Sequence, residues 1–174
     1  DWTWTPLFLD VDLDGYEDLL FSNGHAFDTQ DLDMNEKPPV KGASSAAISP
    51  DNRRVVTGSV DDTVRVWSGQ SGRRIHTLRE HAGNPVAMAF SPDGEFVATA
   101  SNDGTARIWR TSDWGLNATL SGHTNALTDV SFSADGEHIV TAGRDGTARV
   151  SHVQTGDELF VLAGHTDLVR SAEF

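Results

Sequence analysis

The chain has 174 residues, 37% apolar and 22% charged, with 16 glycines and no cysteine. That is the composition of an ordinary globular protein, and it excludes disulfides, thiol catalysis and thiolate zinc sites. The net charge of −13 comes with no basic stripe, which excludes a phosphate-backbone partner such as nucleic acid, and no apolar run reaches the roughly 18 residues a membrane-spanning helix needs.

Residues 1–37 hold ten acids against the single base Lys37 and carry −9 of the −13. Within them Asp10, Asp12, Asp14 and Asp18 punctuate a segment bounded by Leu7-Phe8-Leu9 and Leu19-Leu20-Phe21. Alternate carboxylates on a tight loop, with Gly15 where the chain turns sharply, offer oxygen donors to a hard cation. An EF-hand requires Glu at the twelfth loop position, which is Phe21 here, so that motif is excluded. The spacing, and the surrounding WTPLFLDVDLDGYEDLLFSNGH, resembles the calcium loops of integrin-type FG-GAP (VCBS) propeller repeats. The resemblance implies Ca2+ held by side-chain oxygens of Asp10, Asp12, Asp14 and Asp18 and by the backbone carbonyl of Tyr16. The alternative reading is an acidic, solvated hairpin turn without metal. The polar stretch from Asp28 to Gly42, with Pro38-Pro39, reads as a connection. The expected organisation is an FG-GAP-like fragment over 1–37, a linker over 38–42 and a second region over 43–174.

That second region is periodic. Ser49-Pro50-Asp51 recurs as Ser91-Pro92-Asp93 and Ser133-Ala134-Asp135, at steps of 42 residues. The run from Ser59 to Trp67 recurs over Ser101 to Trp109 and Gly143 to Ser151, and Glu80-His81, Gly122-His123 and Gly164-His165 keep the same period. Each unit reads as four short strands. First strands are expected over 86–90 and 128–132, second strands over 96–101 and 138–142, and third strands over 105–109 and 147–151. Fourth strands are expected over 74–78, 116–120 and 158–162. The Asp103-Gly104 and Asp145-Gly146 turns are hairpin signals, because glycine accepts positive φ without penalty. Ala, Ser and Gly crowd the second and third strands, which suits sheets packed closely face to face. After His165, residues 168–174 read as the first strand of a fourth unit.

From about Gly42 onward the chain resembles the WD-repeat family, whose repeats carry a Gly-His pair, a Ser-Pro-Asp-Gly turn and a closing Trp. The resemblance implies an all-β fold: a partial β-propeller of about three four-stranded blades, preceded by the acidic hairpin. It also implies a buried polar network in each blade. The middle repeat supplies His81, Thr99 (with Ser101 as the other candidate), Asp103 and Trp109. The third supplies His123, Thr141 and Asp145, with Ser151 in place of Trp; the first supplies Thr57, Asp61 and Trp67, with Pro38-Pro39 in place of Gly-His. Only the middle blade is therefore expected to complete its network.

No His-Glu-x-x-His, phosphate loop or nucleophile elbow is present, so the expected function is a non-catalytic scaffold for proteins or peptides. The alternative is a calcium-stabilised extracellular adhesion or structural module. Partner contacts are expected at Val60, Asn102 and Arg144, just before the turn Asp, and at loop residues Asn84, Asn125 and Asp167. Apart from possible Ca2+ no cofactor is expected. Three blades leave propeller edges open, so self-association is expected. The compartment would be cytoplasmic if the repeats dominate and extracytoplasmic if the calcium loop operates.

Overall fold

The computed structural model describes residues 7–9, 18–20 and 43–174. Among these the regular structure is all β. Strand β1 (Leu7–Leu9) pairs antiparallel with β2 (Asp18–Leu20), with Leu9 opposite Asp18. Asp10, Asp12, Asp14, Tyr16 and the side chain of Asp18 lie outside the described residues, as does the linker 38–42.

The periodic region forms three sheets of four strands, each strand antiparallel to the next in sequence. The first sheet is β3 (Ala43–Ile48), β4 (Arg54–Ser59), β5 (Val64–Ser68) and β6 (Arg74–Leu78). The second is β7 (Pro85–Phe90), β8 (Phe96–Ser101), β9 (Ala106–Arg110) and β10 (Leu116–Leu120). The third is β11 (Leu127–Phe132), β12 (His138–Gly143), β13 (Thr147–His152) and β14 (Glu158–Ala163). Pro85 stands at the head of β7, a place where its missing N–H is tolerated.

The turns follow from local chemistry. In the second sheet the Ser91 hydroxyl donates to Asp93 Oδ1 and accepts from the Phe96 amide, while the Glu95 amide donates to the same Asp93 oxygen. This arrangement reverses the chain in a left-handed residue, Gly94 at φ +72°. Gly136 takes that place in the third sheet at +73°, and Asn52 in the first at +57°. Asn is among the few side-chain-bearing residues that accept the region at modest cost.

Packing is sheet on sheet. Val56, Val64, Val66 and Leu78 of the first blade bury against Met88, Val97 and Trp109 of the second. Ala98, Ala100, Ala106, Ile108 and Leu120 of the second bury against Leu127, Val130, Phe132, Ile139 and Val153 of the third. The small residues of β8 and β9 let backbones approach, and each large aliphatic chain so buried contributes about 1.5–3 kcal/mol.

The third blade departs from this pattern. Leu162 keeps the register of Leu78 and Leu120, which are 4% and 8% exposed, yet it is 52% exposed itself. Residues 168–174, expected as a strand, are not one. The first strands of the other blades pair with the second strand that follows them, and the described residues hold no such partner here. The segment nonetheless lies on the third sheet. The Val169 amide donates to Gly143 O, the Thr128 hydroxyl donates to Val169 O, and Ala172 packs on Val140, Ala148 and Val150. Ala172 thereby stands where the 42-residue period places Met88 and Val130.

Candidate functional site

In each blade the loop entering the first strand and the turn joining the second and third strands emerge at the same end. Strands alternate in direction, so every second connection shares an end. Side chains beneath that end fix the loops to the turns.

The middle blade brings together His81, Thr99, Asp103 and Trp109. Trp109 Nε1 donates to Thr99 Oγ1 at 3.0 Å. The Thr99 hydroxyl hydrogen is then directed at His81 Nε2, 2.8 Å away, and the ring's Nδ1–H at Asp103 Oδ2, 3.0 Å away. This is the one assignment of protons that gives every atom of the chain a partner. Ser101 is not part of it. Its hydroxyl donates to Gly83 O and accepts from the Asp103 amide, tying the turn to the loop from the other side.

The imidazole must be neutral to accept from Thr99, and its surroundings keep it so. Burial, reinforced by the Arg107 cation, outweighs the pull of Asp103 and holds His81 below the usual imidazole range. Asp103 is governed by the opposite balance. Burial would raise it, but donors from the Thr105 hydroxyl, His81 and the Ala82 and Thr105 amides hold it well below the usual carboxylate range. Arg107 Nη1 adds an ion pair to the same Oδ2 at 3.3 Å. Two donors, Arg107 Nη1 and His81 Nδ1, thus converge on one oxygen and stand 2.7 Å apart.

The third blade brings together His123, Thr141 and Asp145. His123 Nδ1 lies 2.9 Å from Asp145 Oδ2, and Nε2 lies 3.0 Å from Thr141 Oγ1. Ser151 is buried at the Trp position, and no hydrogen bond joins it to Thr141. Asp145 is likewise held low: burial raises it, and the Thr124 amide, the Thr147 hydroxyl and amide, and His123 outweigh burial. In the first blade Trp67 Nε1 donates to Thr57 Oγ1 at 2.9 Å, while Asp61 is held by the Thr63 hydroxyl and Arg65.

Two contributors were not singled out from the sequence. The Thr two residues after each turn Asp (Thr63, Thr105, Thr147) donates both its hydroxyl and its amide to that carboxylate. Its signal was present, since Asp-x-Thr-x-Arg repeats at the 42-residue period. Gly143 is the other. A Cβ there would come within 2.5 Å of His123 Nδ1 and 2.9 Å of Asp145 Oδ1. The first two repeats carry Ser59 and Ser101 at this position, so only the three-dimensional contact explains the glycine.

Of the partner-contact candidates, Val60 is 48% exposed, Asn102, Asn125, Arg144 and Asp167 are exposed, and Asn84 is half-buried. In the second and third blades the turn is pinned to the loop beside it. The Asn102 amide donates to Asn84 O, and the Arg144 amide to Ala126 O. The result is an exposed rim whose side chains stand on a backbone fixed from below.

The profile of the family described as "WDR90, 4th beta-propeller" matches residues 42–171. No curated protein sequence is similar enough to count as a match. Among solved structures, one described as "Structure of U3-55K" superposes with a TM-score of 0.74 at 22% identity, covering 79% of this chain and 44% of that one. One described as "Crystal structure of RRP9 WD40 repeats" gives the same TM-score and identity over 79% of this chain and 43% of that one. At that identity the likeness concerns the fold, and the chain spans less than half the length of either. Residues 1–37 lie outside the profile match. Three four-stranded blades at a 42-residue period, together with a family match over most of the length, place the chain in the WD-repeat β-propeller family of the WDR90 fourth-propeller type.

Proposed function

We propose that the chain is a non-catalytic interaction scaffold that presents a protein or peptide partner with the rim formed by Val60, Asn102, Arg144, Asn125 and Asp167. The observation that carries this reading is the rigidity beneath the rim. In the second and third blades, exposed Asn102, Asn125 and Arg144 stand on turns and loops held by buried networks and by cross-gap backbone bonds. Such a surface loses little entropy on binding, because its backbone is ordered in advance. The test is selection from a random peptide library, followed by affinity measurement against two sets of variants. Val60→Glu, Asn102→Lys and Arg144→Glu should each weaken the selected peptides by about tenfold or more, as expected where a residue lies in the centre of a contact. Arg53→Glu and Glu95→Lys, exposed at the opposite end, should leave them unchanged. Peptides indifferent to the first set would refute the reading.

Calcium binding by Asp10, Asp12, Asp14, Tyr16 and Asp18 is a separate proposal. It is supported by the carboxylate spacing and by the pairing of β1 with β2 on either side of that segment. A calorimetric calcium titration beside an Asp12→Ala/Asp14→Ala variant tests it: one saturable site, absent from the variant, is expected.

A further inference from the structure

The third repeat breaks the pattern of the other two at its far end, away from the rim. The second strand begins with Arg54 in the first blade, Phe96 in the second and His138 in the third. Their cross-strand partners are Ser68, Arg110 and His152. Only the third blade thus places two imidazoles directly opposite each other.

The backbone makes this pair a close one. His138 O accepts from the Ser133 amide, and its N–H donates to Ser133 Oγ. His152 N–H donates to Asp157 O, and its C=O accepts from the Gly156 amide. Neither residue turns its peptide groups toward the other, so this is a non-hydrogen-bonded pair, the type in which facing side chains lie nearest, at a Cα separation of about 4.5 Å. The rings meet edge to face with centroids 6.0 Å apart. Asp135, Glu137 and His138 have ligand atoms that all lie within 4.8 Å of one another. Asp135 uses Oδ1 for the Ser133 hydroxyl and the Glu137 amide, which leaves Oδ2 open. Asp135 is 58% and His138 35% exposed, so a solvated ion can reach them.

We propose that this cluster is a binding site for a transition-metal divalent cation of the Zn2+ class, with His138 and His152 as nitrogen ligands and Asp135 and Glu137 as oxygen ligands. Imidazole nitrogen with carboxylate oxygen suits Zn2+, Ni2+ and Cu2+ and not Ca2+ or Mg2+, which take oxygen alone. Ligand bonds of about 2.0–2.2 Å require the side chains to close inward from their present spacing, His152 from outside the group formed by the other three, a movement that partly exposed side chains at the end of the sheet make by changing rotamer. His152 Nδ1 accepts from the Gln154 amide at 3.2 Å, so its outer nitrogen, Nε2, is the one that turns to the metal.

The experiment is calorimetric titration of the full 174-residue chain with zinc chloride, repeated with His138→Phe and His152→Arg. These substitutions install the residues that the second repeat carries at the same positions, and so respect the fold; circular dichroism checks this for each. One saturable site is expected, weakened by about tenfold or more in either variant. It should persist in His165→Ala and in Asp12→Ala/Asp14→Ala. Absence of a saturable zinc site, titration of both His138→Phe and His152→Arg like the parent, or loss of the site in the Asp12/Asp14 variant would overturn the proposal. Should His138→Phe not fold, His152→Arg alone decides the matter.

Discussion

Thr99 is the hinge of the middle blade's network, and replacing it with valine isolates what the network contributes. The two side chains have nearly the same volume and the same β-branching, so Thr99→Val opens no cavity and suits a strand at least as well. What it removes is an acceptor for Trp109 Nε1 and a donor to His81 Nε2, at 3.0 and 2.8 Å. Thr99 is fully buried, Trp109 is 2% exposed and the His81 side chain 1%, so water reaches neither stranded group. Each buried group left unpaired costs about 1–3 kcal/mol, and the two together should cost about 2–6 kcal/mol. Thr141→Val in the third blade is the internal control. Ser151 stands there in place of Trp, so only the bond to His123 Nε2 is lost, at about 1–2 kcal/mol. Urea unfolding followed by circular dichroism, with midpoints compared at a common m-value, measures both. A double-mutant cycle with Trp109→Phe should show coupling of about 1 kcal/mol or more between Thr99 and Trp109. The reasoning fails if Thr99→Val lies within about 0.5 kcal/mol of the parent, or if its cost equals that of Thr141→Val.

The remaining predictions concern pH, a glycine and an exposed strand. His81 has a folded-state pKa below its unfolded one, so the unfolded chain protonates first and stability should begin to fall as pH drops below about 6.5. Asp103 and Asp145 are also depressed, so their contribution is complete above about pH 4 and is lost as pH falls further; thermal unfolding from pH 8 to 2 should show both stages, with the upper one reduced in His81→Asn. Gly143→Ser installs the residue of the other two repeats yet should destabilise by about 1–3 kcal/mol, since the new Cβ collides with His123 and Asp145. Equal urea midpoints for parent and variant would contradict this. Phe160 and Leu162, on one face of β14, are each 52% exposed, so the protein should self-associate through this face. In light scattering Phe160→Lys/Leu162→Lys should shift the mass toward the monomer, and an unchanged mass would point to another contact.

Most of the architecture was legible in the residues alone, because a repeat encodes each blade's turns locally. Ser-Pro-Asp, Asp-Gly and the β-branched runs between them act over a few positions, so strand order and antiparallel pairing follow without knowledge of distant neighbours. The network residues were legible for the same reason, through their common spacing. What the sequence left open depends on contacts between units. The choice of Thr99 over Ser101 was set by position along the strand: the two hydroxyls lie on one side of β8, but only Thr99 lies within reach of both the ring and the indole. Trp114 at φ +57°, where the other blades have Gly72 and Gly156, is intelligible only from its packing against the first blade's core and its place beneath the Arg54 guanidinium. The burial of Leu78 and Leu120 and the exposure of Leu162 differ for the same cause. The three leucines occupy equivalent positions, and burial is decided by whether another sheet lies against them, which no local pattern records.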